Sequence, residues 1–200
     1  MAIKFQYNKT ALQSLNKQLK VRLKALPTIK SKEAALRMEV KKAKNKVVEL
    51  DKKLSQRIKA YNVAPSIWNE FNANLITIDE VKTTIEKIAS VKTPVLKEII
   101  FSLNEFSLFN NPKWFPEGIS IVKELTKIAI EKEFFIRKMQ LLNHARRKTT
   151  QKVNLYEKVQ IPGYENAIRK IKRFLEDEEN LSKSAQKIIK NRQQQQTEVN

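Results

Sequence analysis

His144 is the only histidine in the 200 residues, and there is no cysteine. A general base needs an organised pocket and a metal site needs several converging ligands. One histidine supplies neither, so His144 reads as a solvent-facing or locally satisfied side chain. Glu176-Asp177-Glu178-Glu179 is a run of four carboxylates. Paired carboxylates can divide acid and base work, but four in succession point around the whole circumference of a helix, which is the pattern of a solvated face. Arg146-Arg147-Lys148 is a basic cluster. It fits a solvated face, a docking contact for an acidic protein, or a phosphate contact, and the sequence leaves these open. There is no Gly-rich phosphate loop and no Gly-x-Ser-x-Gly. The expectation is a chain that is not an enzyme, with no catalytic residues, no cofactor and no metal.

The elements that carry these residues are legible from a seven-residue repeat. Stepping by seven from Leu12 meets Leu12, Leu19, Leu26, Glu33, Val40, Val47, Leu54 and Tyr61. Stepping from Leu15 meets Leu15, Arg22, Ile29, Leu36, Ala43, Leu50 and Arg57. Only Glu33, Arg22 and Arg57 are not apolar. A period of 3.5 residues keeps one stripe facing a partner helix and specifies a left-handed coiled coil. About 50 helical residues would make a rod of roughly 75 Å.

A second periodic segment begins near Gly118. Ile121, Leu125, Ile128, Lys132, Phe135, Met139, Leu142, Arg146, Thr149, Val153 and Tyr156 keep a 4-3 spacing. The phase shifts near Pro162-Gly163 and resumes as Ile161, Tyr164, Ile168, Ile171 and Leu175, then thins to Leu181, Ala185, Ile188 and Ile189. The expected fold is therefore mainly α: residues 1–63 and 119–192 pair as a long antiparallel coiled coil, and 193–200 form a disordered polar tail. The expected seam is Leu12, Leu15, Leu19, Leu26, Leu36, Val40, Val47, Leu50 and Leu54 against Ile128, Phe135, Met139, Leu142, Val153, Tyr156, Ile168, Ile171 and Leu175. Pro27 and Pro162 interrupt backbone hydrogen bonding. The stripe continues past both, which predicts kinks and not ends.

Residues 64–118 read differently. Ala64-Pro65, Thr93-Pro94, Asn111-Pro112 and Phe115-Pro116 mark breaks. Ile78–Ala89 is expected as a short helix capped by Asp79. Pro94–Leu103 is rich in apolar and β-branched residues and fits a strand or a short helix. Phe101, Phe106, Phe109, Trp114 and Phe115 are expected as a small core or a docking patch. The segment is read as a small irregular head, with a short helix and room for a short β-hairpin.

Composition narrows the class. Two glycines in 200 residues are far below the usual share of about 7%, which disfavours a fold with many tight turns. No run of 18 apolar residues exists, so no segment is expected to enter a membrane, and the N-terminus lacks the apolar core of a signal peptide. The net charge is +19, with +13 in residues 1–61, −2 in 62–118 and +9 in 119–192. That asymmetry points to an acidic or polyanionic partner. Three functions remain. One is a structural shaft inside an assembly. Another is a basic coiled-coil arm binding nucleic acid. The weakest is a membrane-surface helix, because its apolar stripe is used by the partner helix. The nucleic-acid arm explains the charge, but the aromatics lie in the acidic segment and not along a basic track.

Three stretches carry a family resemblance. Asn8-Lys-Thr-Ala-Leu-Gln-Ser-Leu-Asn-Lys-Gln-Leu19 followed by Ile29-Lys-Ser-Lys-Glu-Ala-Ala-Leu36 matches a Leu-x-x-Leu-x-x-x-Leu start and a Leu-Lys-x-Lys-x-x-x-Leu stretch. Ser90-Val-Lys-Thr-Pro94 matches Ser-Val-x-x-Pro. Lys152-Val-Asn-Leu-Tyr-Glu-Lys-Val-Gln-Ile-Pro162 matches an Arg-Val-Asn-Ala-Leu-Glu segment running into Ile-Pro. In these features the chain resembles the D subunits of V-type and A-type rotary ATPases, which form the central rotor shaft. It departs from the family at Thr150-Gln151-Lys152, where three arginines are common, and at Pro27, where a glycine-containing stretch is common.

The resemblance implies an antiparallel coil inserted into the hexameric ring of A and B subunits, where nucleotide is bound and hydrolysed. It implies that the middle segment faces the F and C subunits. It also implies a place on the cytoplasmic face of a membrane, as a peripheral part of the complex, with no nucleic acid bound. On that reading Lys20, Arg22, Lys24, Arg169, Lys170 and Arg173 are the candidate contacts with acidic ring loops. Solubility alone is the alternative for them.

Overall fold

The computed structural model describes residues 3–61, 68, 71–72, 75–104 and 112–198, with side chains described as far as residue 194. The order of elements is helix α1 (Lys9–Tyr61), strands β1 (Ile76–Ile88) and β2 (Val91–Leu103), helix α2 (Phe115–Asn154), a π-helical turn (Leu155–Gln160) and helix α3 (Ile161–Glu198). The fold is mainly helical, with long N- and C-terminal helices and one antiparallel hairpin between them.

Helix α1 starts where Asn8 offers a cap: its Oδ1 accepts the Ala11 N–H at 2.7 Å. That bond satisfies one of the four amides a helix start leaves unpaired. The 53 residues of α1 then contain no glycine, and Pro27 lies inside the helix without ending it. At Pro162 the backbone responds differently. The residues before it widen into the π turn, and the Ile161 N–H bonds back to the Tyr156 carbonyl, five residues away. This accounts for the phase shift in the apolar stripe. A π turn absorbs one surplus residue, so Tyr156 and Ile161 face the same side although they are five apart. It also precedes a residue that has no N–H to return to the fourth carbonyl back. The tail expected to be disordered, 193–200, is helical through Glu198.

The chain divides into two compact units, which do not coincide with the three linear segments of the sequence. One comprises Met1–Ser31 with Thr149–Asn200, and the other Lys32–Lys148. In the first unit Tyr7 stacks on Phe174, Arg22 bonds Gln160 and Lys30 pairs with Glu157. In the second, Asp51 pairs with Lys132 and Arg57 with Glu124. Within each unit the partner number falls as the number of the N-terminal residue, in α1 or just before it, rises, which is the mark of antiparallel pairing.

The core lies along this pairing. Leu15, Leu36, Leu50, Ile128, Leu142, Ile168 and Ile171 are buried, and so are Ala43, Ile161, Tyr164 and Ala167. Leu12, Leu19, Leu26, Val40, Val47, Leu54, Phe135, Met139, Val153, Tyr156 and Leu175 are half-buried. Beyond Leu175 the stripe is open: Leu181, Ile188 and Ile189 are exposed.

The middle segment corrects one expectation. Of residues 78–89, read as a helix capped by Asp79, 78–88 form most of strand β1 and Ala89 opens the hairpin loop. Eight of the thirteen residues of β1 are Ile, Val or Thr, and β-branched side chains lose rotamer freedom in a helix and pack well on a pleated surface. Asp79 sits at a register irregularity between Ile78 and Glu80, and its Oδ1 accepts the Ser102 hydroxyl at 2.8 Å from the facing strand. Strand β2 covers residues 94–103, one of the two forms expected for them. Lys82 faces Glu98 in the ladder and pairs with it at 3.4 Å. The hairpin closes through a two-residue loop, Ala89-Ser90, with φ of 47° and 70°. Both lie in the left-handed region that a tight hairpin turn of this twist requires and that glycine and asparagine adopt most readily.

Candidate interaction surfaces

The candidate ring-contact cations belong to the first unit. Lys20 and Lys24 are exposed on α1, one turn apart, and line the same shallow depression with Lys17 and Val21. Arg169, Lys170 and Arg173 are exposed on α3. Arg22 is placed differently from these five. It is half-buried, its Nε donates to Gln160 Oε1 at 2.7 Å and its Nη1 donates to the Gln18 carbonyl at 3.1 Å. Its guanidinium lies 4.6 Å from the centre of the Tyr164 ring. This side chain joins α1 to the π turn and α3. The repeat already carried the signal, since Arg22 occupies a seam position.

The other charged seam positions are also partnered within the chain. Glu33 pairs with Arg37 one turn on at 3.0 Å, and Arg57 pairs with Glu124 at 3.1 Å. At the seam position Tyr156, Lys152 and Arg22 flank the ring at 5.8 and 5.9 Å from its centre. Arg146 is half-buried and its Nε donates to Asn143 at 3.2 Å, whereas Arg147 and Lys148 are exposed. The acidic run Glu176–Glu179 is exposed along α3. Glu179 pairs with Lys183 at 2.8 Å, and the hydrogen bond and charge of that lysine hold its carboxyl below the ordinary value.

The second unit presents the hairpin and the aromatic residues. Trp114 and Phe115 pack edge to face at 5.0 Å, joined by Phe71 and Trp68. Phe115 is buried, so this cluster is a small core. Gly118 completes it: a Cβ there would stand 2.8 Å from the Trp114 ring. Phe106 and Phe109 lie outside the described residues.

Phe101 on β2 faces Lys123 and Lys127 of α2, each ammonium 6.0 Å from the ring centre. At the other end of the hairpin Lys138 pairs with Glu86 at 3.4 Å. Between hairpin and α2 an open cavity of about 460 Å³ is lined by Ile85, Pro94, Phe134 and Leu141, with Lys92, Glu133 and Arg137 at its charged positions. It holds one carboxylate and no histidine, so it lacks the pair of groups that acid–base work needs. His144 is exposed on α2. Among the described residues no group of three or more His, Cys, Asp or Glu could hold a metal ion. Nor is any described helix long and apolar enough to cross a membrane.

The described residues offer exposed charge along the helices and a hairpin packed near α2, with no organised set of acid–base or metal-binding groups among them. In comparison with known proteins, the protein family described as the D subunit of ATP synthase matches residues 11–191. A protein of Borreliella burgdorferi named as a V-type ATP synthase D subunit is 31% identical, covering 94% of both chains. One of the same name from Chlamydia muridarum is 29% identical, over 99% of this chain and 100% of the relative. Another from Chlamydia trachomatis is 28% identical over the same shares.

Proposed function

Because this chain belongs to the family of ATP synthase D subunits, we propose that it is the central-stalk rotor subunit of a V-type or A-type rotary ATPase. It transmits torque between the ring of A and B subunits and the ion-translocating ring in the membrane. It is non-catalytic: nucleotide is handled between A and B, and this chain supplies the moving part. The observation that supports the reading most is the antiparallel helical pair, whose buried seam residues are apolar while its lysines and arginines are mostly exposed.

A shaft needs that division. A continuous packed seam resists shear between the helices, because sliding would break many close contacts at once. A hydrated charged exterior slides past the surrounding ring without locking to one position, since exposed ion pairs contribute only about 0–1 kcal/mol each. On this reading Lys20, Lys24, Arg169, Lys170 and Arg173 meet acidic loops of the ring, and Arg22 holds the shaft together. The hairpin and its α2 face meet the F and C subunits. The chain works on the cytoplasmic side of the membrane, bound through its partners.

The test is a tagged pull-down from gently solubilised native membranes, run with and without nuclease, with the eluate read by mass spectrometry and for nucleic acid. Recovery of A- and B-type subunits with a small F partner supports the rotor. Recovery of nucleic acid or ribosomal proteins, lost after nuclease, would replace it with the basic-arm reading. Deleting residues 1–30 is then expected to abolish ATP-dependent ion pumping.

A further inference from the structure

A coiled seam of uniform apolar residues has a weakness: two helices can slide by one heptad and rebuild nearly the same contacts. The first unit contains a device suited to prevent this. Along α1 the seam runs Leu15, Arg22, Ile29, so a cation replaces an apolar side chain at one step. Opposite it stands the π turn. In an α-helix the stripe residue after Tyr156 would be Gln160. The widened turn instead leaves Ile161 buried beside a half-buried Gln160. One continues the apolar core and the other meets the arginine, whose Nε donates to Gln160 Oε1 at 2.7 Å. Tyr156, within the turn, and Tyr164, in the first turn of α3, receive the guanidinium at 5.9 and 4.6 Å from their ring centres.

We propose that Arg22 is a register pin: with Gln160, Tyr156 and Tyr164 it selects one alignment of α1 against the C-terminal helices. In antiparallel pairing a slip of one heptad carries Arg22 from Gln160 to Val153 or to Ala167. Neither side chain can accept a hydrogen bond, and the half-buried guanidinium would lose Gln160 and its placement between the two tyrosines. A single polar residue in a seam is known to fix register at a cost in stability, because the wrong alignments strand it without a partner. The planar fork is what suits arginine to the task, since it stacks on one ring while it donates in its own plane.

The experiment uses the full chain, which has no cysteine and so takes labels only where they are introduced. Spin labels on Lys24→Cys and Lys170→Cys report the axial offset of the two helices by double electron–electron resonance. The otherwise native chain is expected to give one distance. Arg22→Leu is expected to keep or raise the melting temperature while adding a second population, offset along the axis by about 10 Å, the length of one heptad. Gln160→Leu, which keeps the arginine and removes its acceptor, is expected to add a smaller second population. It decides the question if Arg22→Leu lacks native helicity by circular dichroism. A single native distance in every folded variant would overturn the proposal, since Arg22 would then be a packing residue with no part in alignment.

Discussion

The two units solve the same packing problem by different means. In the unit of residues 32–148 the buried residues of α1 are Leu36, Ala43 and Leu50, seven apart, and they are matched on α2 by Ile128 and Leu142. In the unit built from the two ends of the chain, burial crowds into Tyr164, Ala167, Ile168 and Ile171 around Leu15, and Ile161 just before them is buried too. An extended N-terminal segment there lays Ile3 and Phe5 against the core. Regular spacing lets one helix cover another without help. Where a surplus residue disturbs the spacing, the chain adds a π turn, a partnered arginine and a third layer. Gly163 belongs to that third layer, because a Cβ on it would stand 3.0 Å from Ile3.

The contrast can be broken in order of expected effect. Leu142→Ala removes a side chain with no exposure and is expected to cost about 2–5 kcal/mol in urea unfolding. Ile171→Ala removes an equally buried side chain in the other unit. It is expected near the lower end of the same range, because Ile3 and Phe5 can settle toward the void. Equal losses would show that the N-terminal segment is rigidly seated.

Deleting residues 1–7 removes the partial burial of Ile3 and Phe5 and the Tyr7–Phe174 stack. The expected loss is about 1–3 kcal/mol, with hydrogen exchange rising in residues 161–175 and unchanged in 32–148. The hairpin offers the opposite sign. Ala89→Asn with Ser90→Gly relieves two left-handed residues and is expected to stabilise by about 1–2 kcal/mol, seen as slower amide exchange in β1 and β2.

The smallest effects are electrostatic. Lys132→Ala breaks the 2.6 Å pair with Asp51, an exposed contact whose loss is expected to change stability by at most about 1 kcal/mol. Two exposed intrahelical pairs add pH dependence of opposite sign. Glu179 is lowered by its hydrogen bond and charge contact with Lys183. Its contribution is present above the ordinary carboxylate value of 4.5 and is lost as pH falls through the folded value. Lys46 is raised by its hydrogen bond to Glu49. Its contribution is present below 10.5 and is lost as pH rises through the folded value. Helicity followed at the two extremes checks both signs.

Much of this protein could be read from spacing. The seven-residue stripe through Leu36, Ala43 and Leu50 located buried positions because a helix repeats its faces at a fixed angle, whatever surrounds it. The family likeness rested on short stretches such as Lys152–Pro162, whose order along the chain is a property of sequence. Other features depended on what lay across the fold. Residues 78–88 carry helix-compatible charges, yet the partner strand and the tight Ala89-Ser90 turn make them a strand, because β-structure is completed by a neighbour that local propensity does not describe. The same limit applied to Arg22. Its sequence shows a cation in an apolar stripe, which suits a surface contact as well as an internal one. Only the arrival of Gln160 and Tyr164, 138 and 142 positions further along the chain, makes it an internal tie, since a charged group can be half-buried only where the fold brings its partners to it.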